Sequence, residues 1–146
     1  MSYHMDELIE AARQAREQAH APYSGFRVGA ALETEDGHLF SGCNVENVSF
    51  GATCCAERVA IFKAVSEGQR RIRQLAVICG SDDYCMPCGI CRQVMLEFAT
   101  PDFMLVAARP DGQYLRLTME QLLPHAFTHL SPDGVRTEKD PPPCHR

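Results

Sequence analysis

Two short segments, Cys55-Ala56-Glu57 and Pro87-Cys88-Gly89-Ile90-Cys91, constrain this chain more than any other part of it. Together they offer three thiolates and one carboxylate at a spacing that suits a zinc ion with one coordination position left open. Four protein ligands make a closed, structural zinc site, whereas three leave room for a water that can do chemistry. Both segments open helices, so a shared ion requires the two helix starts to meet.

The chain holds eight cysteines (43, 54, 55, 79, 85, 88, 91 and 144), and spacing narrows the choice among them. Cys54 and Cys55 are adjacent, so at a helix start they point roughly 100° apart and only one faces a given ion. Cys85, Cys88 and Cys91 form two overlapping Cys-x-x-Cys pairs. Pro87 favours Cys88 as the first ligand, because proline fixes a helix entry without removing a needed donor. Cys91 follows one turn later on the same face, and Cys85 is left upstream. Helix N-termini carry roughly half a positive charge, which favours thiolate over thiol. Three thiolates on Zn²⁺ leave a net negative charge, and Arg58 and Arg92 are the candidates to offset it. Three other readings stay open on the residues alone: a closed structural site with Cys85 as fourth ligand, a redox Cys-x-x-Cys, and unligated core cysteines.

A length of 146 residues with 45% hydrophobic and 23% charged residues suits one globular domain. The net charge of −5 argues against a broad basic surface and hence against nucleic acid as a partner. No apolar run reaches the length of about 20 residues that a spanning helix needs, so no membrane association is expected. The start Met1-Ser2-Tyr3-His4-Met5-Asp6-Glu7 lacks the pattern of a signal peptide. A cytoplasmic location is expected, where thiols stay reduced and metal ligation is the better reading of the cysteines.

Apolar periodicity predicts a helix from Met5 to about His20, ended by Pro22-Tyr23-Ser24-Gly25. Strands are predicted over Phe26–Thr34, with Val28, Ala30 and Leu32 on one face, and over His38–Cys43, joined by Glu35-Asp36-Gly37. A loop from Asn44 to Cys54 precedes a mostly buried helix, Ala56–Glu67, stopped by Gly68. Leu75–Cys79, Phe103–Ala107 and Tyr114–Leu117 read as strands, Gly89–Phe98 and Met119–Leu123 as helices. The order predicts an α/β fold, a three-layer α/β/α sandwich around a mixed five-stranded sheet. Residues 1–130 form the domain; residues 131–146 hold four prolines and almost nothing apolar, and are expected to be a flexible C-terminal tail.

The two cysteine segments match the [HC]-x-E and P-C-x-x-C pattern of the zinc nucleobase deaminases, in which a zinc-activated water attacks the ring carbon and the glutamate moves protons. More of the chain resembles the small homotetrameric cytidine deaminases of pyrimidine salvage. Tyr23-Ser24-Gly25-Phe26-Arg27-Val28-Gly29-Ala30-Ala31-Leu32 resembles their Y-S-x-F-x-V-G-A-A-L, and Asn44-Val45-Glu46-Asn47 their N-[IV]-E-N. Cys55 to Gly68 and Pro87 to Gln93 are similar to family wording, and the resemblance runs from about Tyr3 to Leu130. One departure is Phe50, where the family commonly has tyrosine.

The resemblance implies that Cys55, Cys88 and Cys91 hold one zinc ion per subunit and that Glu57 is the catalytic proton shuttle. It implies that Phe26 packs on the pyrimidine, that Asn44 and Glu46 bind the ribose hydroxyls, and that the Ala56 backbone meets the base edge. Arg58 and Gln93 are implied to bond the ligand sulfurs. Phe127 is implied to reach a neighbouring subunit's site in a homotetramer. The implied reaction is hydrolytic deamination of free cytidine and 2′-deoxycytidine to the uridine products and ammonia. Without the resemblance, Phe26 reads as core, Asn44 and Glu46 as turn caps and Phe127 as an intramolecular contact. Deamination of another aminopyrimidine or of an antibiotic nucleoside, and a structural zinc-binding interaction module, are the alternative functions.

Overall fold

The computed structural model describes residues 2–128. Its helices are α1 (Met5–Arg16), α2 (Ala56–Ser66), α3 (Gly89–Phe98) and α4 (Met119–Leu122). Its strands are β1 (Val28–Thr34), β2 (Leu39–Cys43), β3 (Ile72–Cys79), β4 (Ala99–Ala108) and β5 (Tyr114–Thr118). The strands form one sheet in the order β2-β1-β3-β4-β5. β1 is antiparallel to β2 and β3, β3 is parallel to β4, and β5 is antiparallel to β4. A parallel pair needs a crossover rather than a tight turn, and α3 lies in that connection.

Side chains alternate across a strand, and this alternation sorts the core into two halves. Val28, Ala30, Leu32, Leu75, Val77, Leu105 and Ala107 face α2, α3 and α4. Ala31, Ala76, Ile78, Val106 and Ala108 face Leu8, Ile9 and Ala12 of α1. Strands covered on both faces read as continuous apolar runs, which is why β3 is buried along nearly its whole length. The expected three-layer sandwich with a mixed five-stranded sheet is the observed fold. The tail 131–146 lies outside the described residues.

Several boundaries differ from the sequence expectation, among them the start of β3, at Ile72 rather than Leu75. α1 ends at Arg16 rather than His20, because His20 is drawn into a bridge with Val45, donating to Asn44 O and accepting from Glu46 N. β1 begins at Val28 rather than Phe26, because the Asn44 side chain takes up Phe26 O and Val28 N. β4 begins at Ala99, four residues early, since Ala99 pairs with Ile72 before the register shifts ahead of Met104. Pro101, which has no N–H for the ladder, lies inside that irregularity. No helix among the described residues is long and apolar enough to cross a membrane.

Candidate active site

Two helix starts meet as the spacing requires. Cys55 is the N-cap residue of α2, Cys88 is the N-cap residue of α3, and Cys91 lies in the first turn of α3. Their sulfur atoms all lie within 4.8 Å of one another, with Cys55 Sγ 3.8 Å from Cys88 Sγ. At a Zn–S distance of about 2.3 Å, tetrahedral thiolates sit about 3.8 Å apart. The triad therefore fits a zinc ion. Neither Cys54 nor Cys85 joins it; Cys85 is buried against Cys79. Cys91 is buried, Cys55 is half-buried and Cys88 is exposed, so the group is reached from one side.

The thiols differ electrostatically. A hydrogen bond shared with Cys91 draws the Cys55 thiol down to about 5, assisted by the Arg58 guanidinium and Cys88 against the effect of burial. The same contact and burial push the Cys91 thiol up. Arg58 Nη2 donates to Cys55 Sγ and Thr53 O, each at 3.4 Å, and the sulfur in turn holds Arg58 charged. Glu57, in the first turn of α2, is only 4% exposed. Burial pushes its carboxyl above the ordinary carboxylate range, and its Oε2 lies 3.5 Å from Cys91 Sγ.

Beside the triad's approach lies an open cavity of about 370 Å³ lined by Tyr23, Ser24, Glu46, Phe50 and Thr53. The Glu46 carboxylate accepts from the N–H groups of Tyr23 and Ser24 and from Ser24 Oγ. These bonds, the Ser24 hydroxyl foremost, hold its pKa below the ordinary carboxylate value. The Tyr23 and Phe50 rings meet edge to face at 6.0 Å, forming an apolar wall. Thr53 joins the cavity to the metal site, because its carbonyl accepts from the arginine that holds Cys55.

The structure brings together Cys55, Glu57, Arg58, Cys88 and Cys91, and it sets Glu46 in the cavity. Phe26 is exposed just ahead of β1, its N–H donated to Ser24 Oγ. Asn44 is buried with Oδ1 on Val28 N and Nδ2 on Phe26 O, each at 2.8 Å, so its amide first shapes the chain that presents Phe26. Ala56 is fully buried, and the backbone contact to a base expected of it is closed to solvent here. Two side chains near the triad bond to backbone carbonyls. Gln93 Nε2 donates to Phe127 O rather than to a sulfur, and Arg92 donates to Pro87 O and Leu122 O. Each helical residue turns about 100° from the last, so the residues after Cys91 leave the metal face. Phe127 is exposed. Sequence reasoning placed Tyr23-Ser24 in a helix stop and in a family motif but missed its hold on Glu46. A serine two residues before Phe26 has the spacing of a side-chain turn, which its bond to Phe26 N makes, but that spacing does not point to Glu46.

Converging thiolates beside a buried carboxylate and an open cavity define a centre for metal-assisted hydrolysis. The family described as cytidine and deoxycytidylate deaminase zinc-binding region matches residues 2–107, and the chain belongs to it. A cytidine deaminase of Halalkalibacterium halodurans is 48% identical over 121 residues, covering 83% of this chain and 92% of that protein. Another, from Sporosarcina psychrophila, is 45% identical over 124 residues, covering 85% and 91%. The crystal structure of cytidine deaminase from Burkholderia pseudomallei matches with a TM-score of 0.80 at 47% identity, covering 87% of this chain and all of that one (100%).

Proposed function

We propose that the chain hydrolyses free cytidine and 2′-deoxycytidine, with water, to uridine or 2′-deoxyuridine and ammonia. The observation that carries this reading is the buried Glu57 carboxylate, 3.5 Å from one sulfur of the converging triad. Cys55, Cys88 and Cys91 would hold a zinc ion, which would lower the pKa of a water toward about 7. Glu57 takes the proton of that water on its carboxylate and delivers it to the ring nitrogen beside the reacting carbon. The hydroxide that remains adds to that carbon; Glu57 then takes the adduct's hydroxyl proton and passes it to the amine, and the C–N bond breaks to release ammonia, so that Glu57 serves as base and acid in turn. Burial suits it to both tasks by raising its proton affinity. Arg58 lies against the Cys55 sulfur and offsets the surplus charge of three thiolates.

Phe26 packs on the pyrimidine, while Glu46 and the remaining hydrogen-bonding capacity of Asn44 take the ribose hydroxyls. A carboxylate held ionised beside the sugar repels phosphate, so mononucleotides and single-stranded DNA are not substrates. The exposed apolar side chains Val48, Phe50, Ile90 and Phe127 support assembly into a homotetramer whose subunits complete one another's sites. Residues 1–130 act as one catalytic domain. The setting proposed is cytoplasmic pyrimidine salvage.

An ultraviolet assay of cytidine loss, with and without a zinc chelator, tests the reading. Turnover that the chelator abolishes and added zinc restores is expected. Chelator-resistant turnover, or equal turnover of cytidine and cytidine 5′-monophosphate, contradicts it.

A further inference from the structure

Gly42 lies on β2, opposite Ala30 of β1, on the face of the sheet that α2 covers. A Cβ built on Gly42 meets Ala60 N at 2.6 Å, Ala56 O at 2.8 Å and Val59 Cβ at 3.0 Å. The first two are backbone atoms one helical turn apart, so the α-carbon of Gly42 sits against the opening turn of α2. That turn holds Cys55 at its cap and Glu57 within it. Only glycine lets two backbones approach so closely. Ala56 and Ala60 are fully buried at this seam, and Lys63 Nζ, one turn further on, is bonded to Ser41 O of the same strand. The seat is therefore fixed at both ends, and an added methyl cannot be absorbed by a flexible side chain.

Gly29 supplies the counterpart on the other face. A Cβ there meets Ala12 O at 1.9 Å and Arg16 N at 2.6 Å, both in the backbone of α1. The collision is harsher, yet α1 holds none of the converging thiols and not Glu57. The two glycines separate a packing role from a positioning role.

We infer that Gly42 is a positioning residue for the active site: its bare α-carbon sets the depth at which α2 seats on β2, and thereby the placement of Cys55 and Glu57 relative to Cys88 and Cys91. Cys88 and Cys91 belong to α3, so a wedge under α2 moves one sulfur and the carboxylate while leaving the other two sulfurs behind. The Glu46 and Asn44 side chains are fastened to Tyr23, Ser24, Phe26 and Val28, and only the backbone of Val45 between them pairs with Cys54 just ahead of α2. Metal retention and turnover therefore suffer more than substrate binding. The catalytic half of this inference rests on the function proposed above; the metal half does not.

The test compares Gly42→Ala with Gly29→Ala in the full chain. Zinc affinity is read by competition with a chromophoric chelator, and sulfur geometry by the thiolate charge-transfer bands of the cobalt-substituted protein. Gly42→Ala is expected to lose about 10–100-fold in zinc affinity, the size of effect seen when a ligand's support is removed. Its kcat is expected to fall by about 100-fold with KM for cytidine little changed, as a displacement of about 1 Å at the chemistry would cause. Gly29→Ala is expected to lower Tm while keeping zinc affinity, cobalt spectrum and kcat. Both variants are measured in sucrose if dilute buffer leaves them partly unfolded, since an excluded osmolyte favours the compact state. Wild-type zinc affinity and spectrum in folded Gly42→Ala overturn the proposal. So does a Gly42→Ala chain that stays unfolded in sucrose, because the glycine then serves the whole fold. Absence of cytidine turnover in the unaltered protein would instead reject the proposed function, leaving the zinc comparison intact.

Discussion

Glu33 and Glu57 are both buried glutamates, one on each face of the sheet, and the chain treats them in opposite ways. Glu33 is fully buried on the α1 side, and its two oxygens accept from Tyr3 N, Ser2 Oγ and Gln74 Nε2. Those donors use up the carboxylate and pin the N-terminal segment to the sheet. Glu57, on the α2 side, meets Cys91 Sγ and its own backbone, and burial raises its proton affinity. A buried polar group that its own chain satisfies is a structural element, whereas one left under-satisfied calls for another explanation. The comparison separates a carboxylate that holds the fold from one available to a substrate.

The sharpest way to break this contrast is to remove one charge from each. Glu57→Gln keeps the shape and removes the base, and turnover is expected to fall by about 10²–10⁴-fold, the usual share of general acid–base catalysis. Zinc content and thermal stability should stay near those of the unaltered chain. Turnover retained in Glu57→Gln would sink the mechanism. Glu33→Gln should do the reverse. Its new amide hydrogens face donors that already point at that position, costing about 1–3 kcal/mol of stability. A lower Tm with unchanged kcat is the expected outcome. If kcat falls in step with stability, the two faces are coupled and the contrast fails.

How far the sequence carried depends on whether a feature is local. α3 begins and ends where its pattern predicts, Gly89–Phe98, because Pro87, the cysteine cap and the apolar spacing are all contained within it. The triad was legible for the same reason, its three ligands being marked by two helix starts. The start of β1 was not, since it is decided by Asn44 from a distant loop. Arg58 and Arg92 looked equivalent as neighbours of the site. Arg58 lies three residues past Cys55, close to a full turn, and reaches back to the sulfur. Arg92 follows Cys91 directly, turns away by about 100°, and ties α3 to Leu122 instead. The work of Ser24 on Glu46 spans 22 residues of chain, and no local pattern announces it.

That serine allows the finest test of what separates the site's charges from those of the scaffold. Glu46 is half-buried at the cavity and held below the ordinary carboxylate range, chiefly by the Ser24 hydroxyl. A depressed pKa means that the ionised form persists as pH falls, so the nucleoside binding proposed for Glu46 should survive into the acid range and be lost only below the ordinary carboxylate range. Ser24→Ala removes the largest cause and leaves the two backbone donors, so the pKa moves back toward 4.5. KM should then begin to rise at a higher pH than in the unaltered chain, while near neutrality Glu46 is ionised in both. Ser24 Oγ also accepts from Phe26 N, and losing that bond raises KM at every pH by less than about tenfold, the scale of one hydrogen bond. The pH-dependent part isolates Glu46, and Glu46→Gln, which cannot titrate, should show none of it. Identical acid limbs of KM in Ser24→Ala and the unaltered chain would mean that the hydroxyl orients Phe26 without governing the charge beside the sugar.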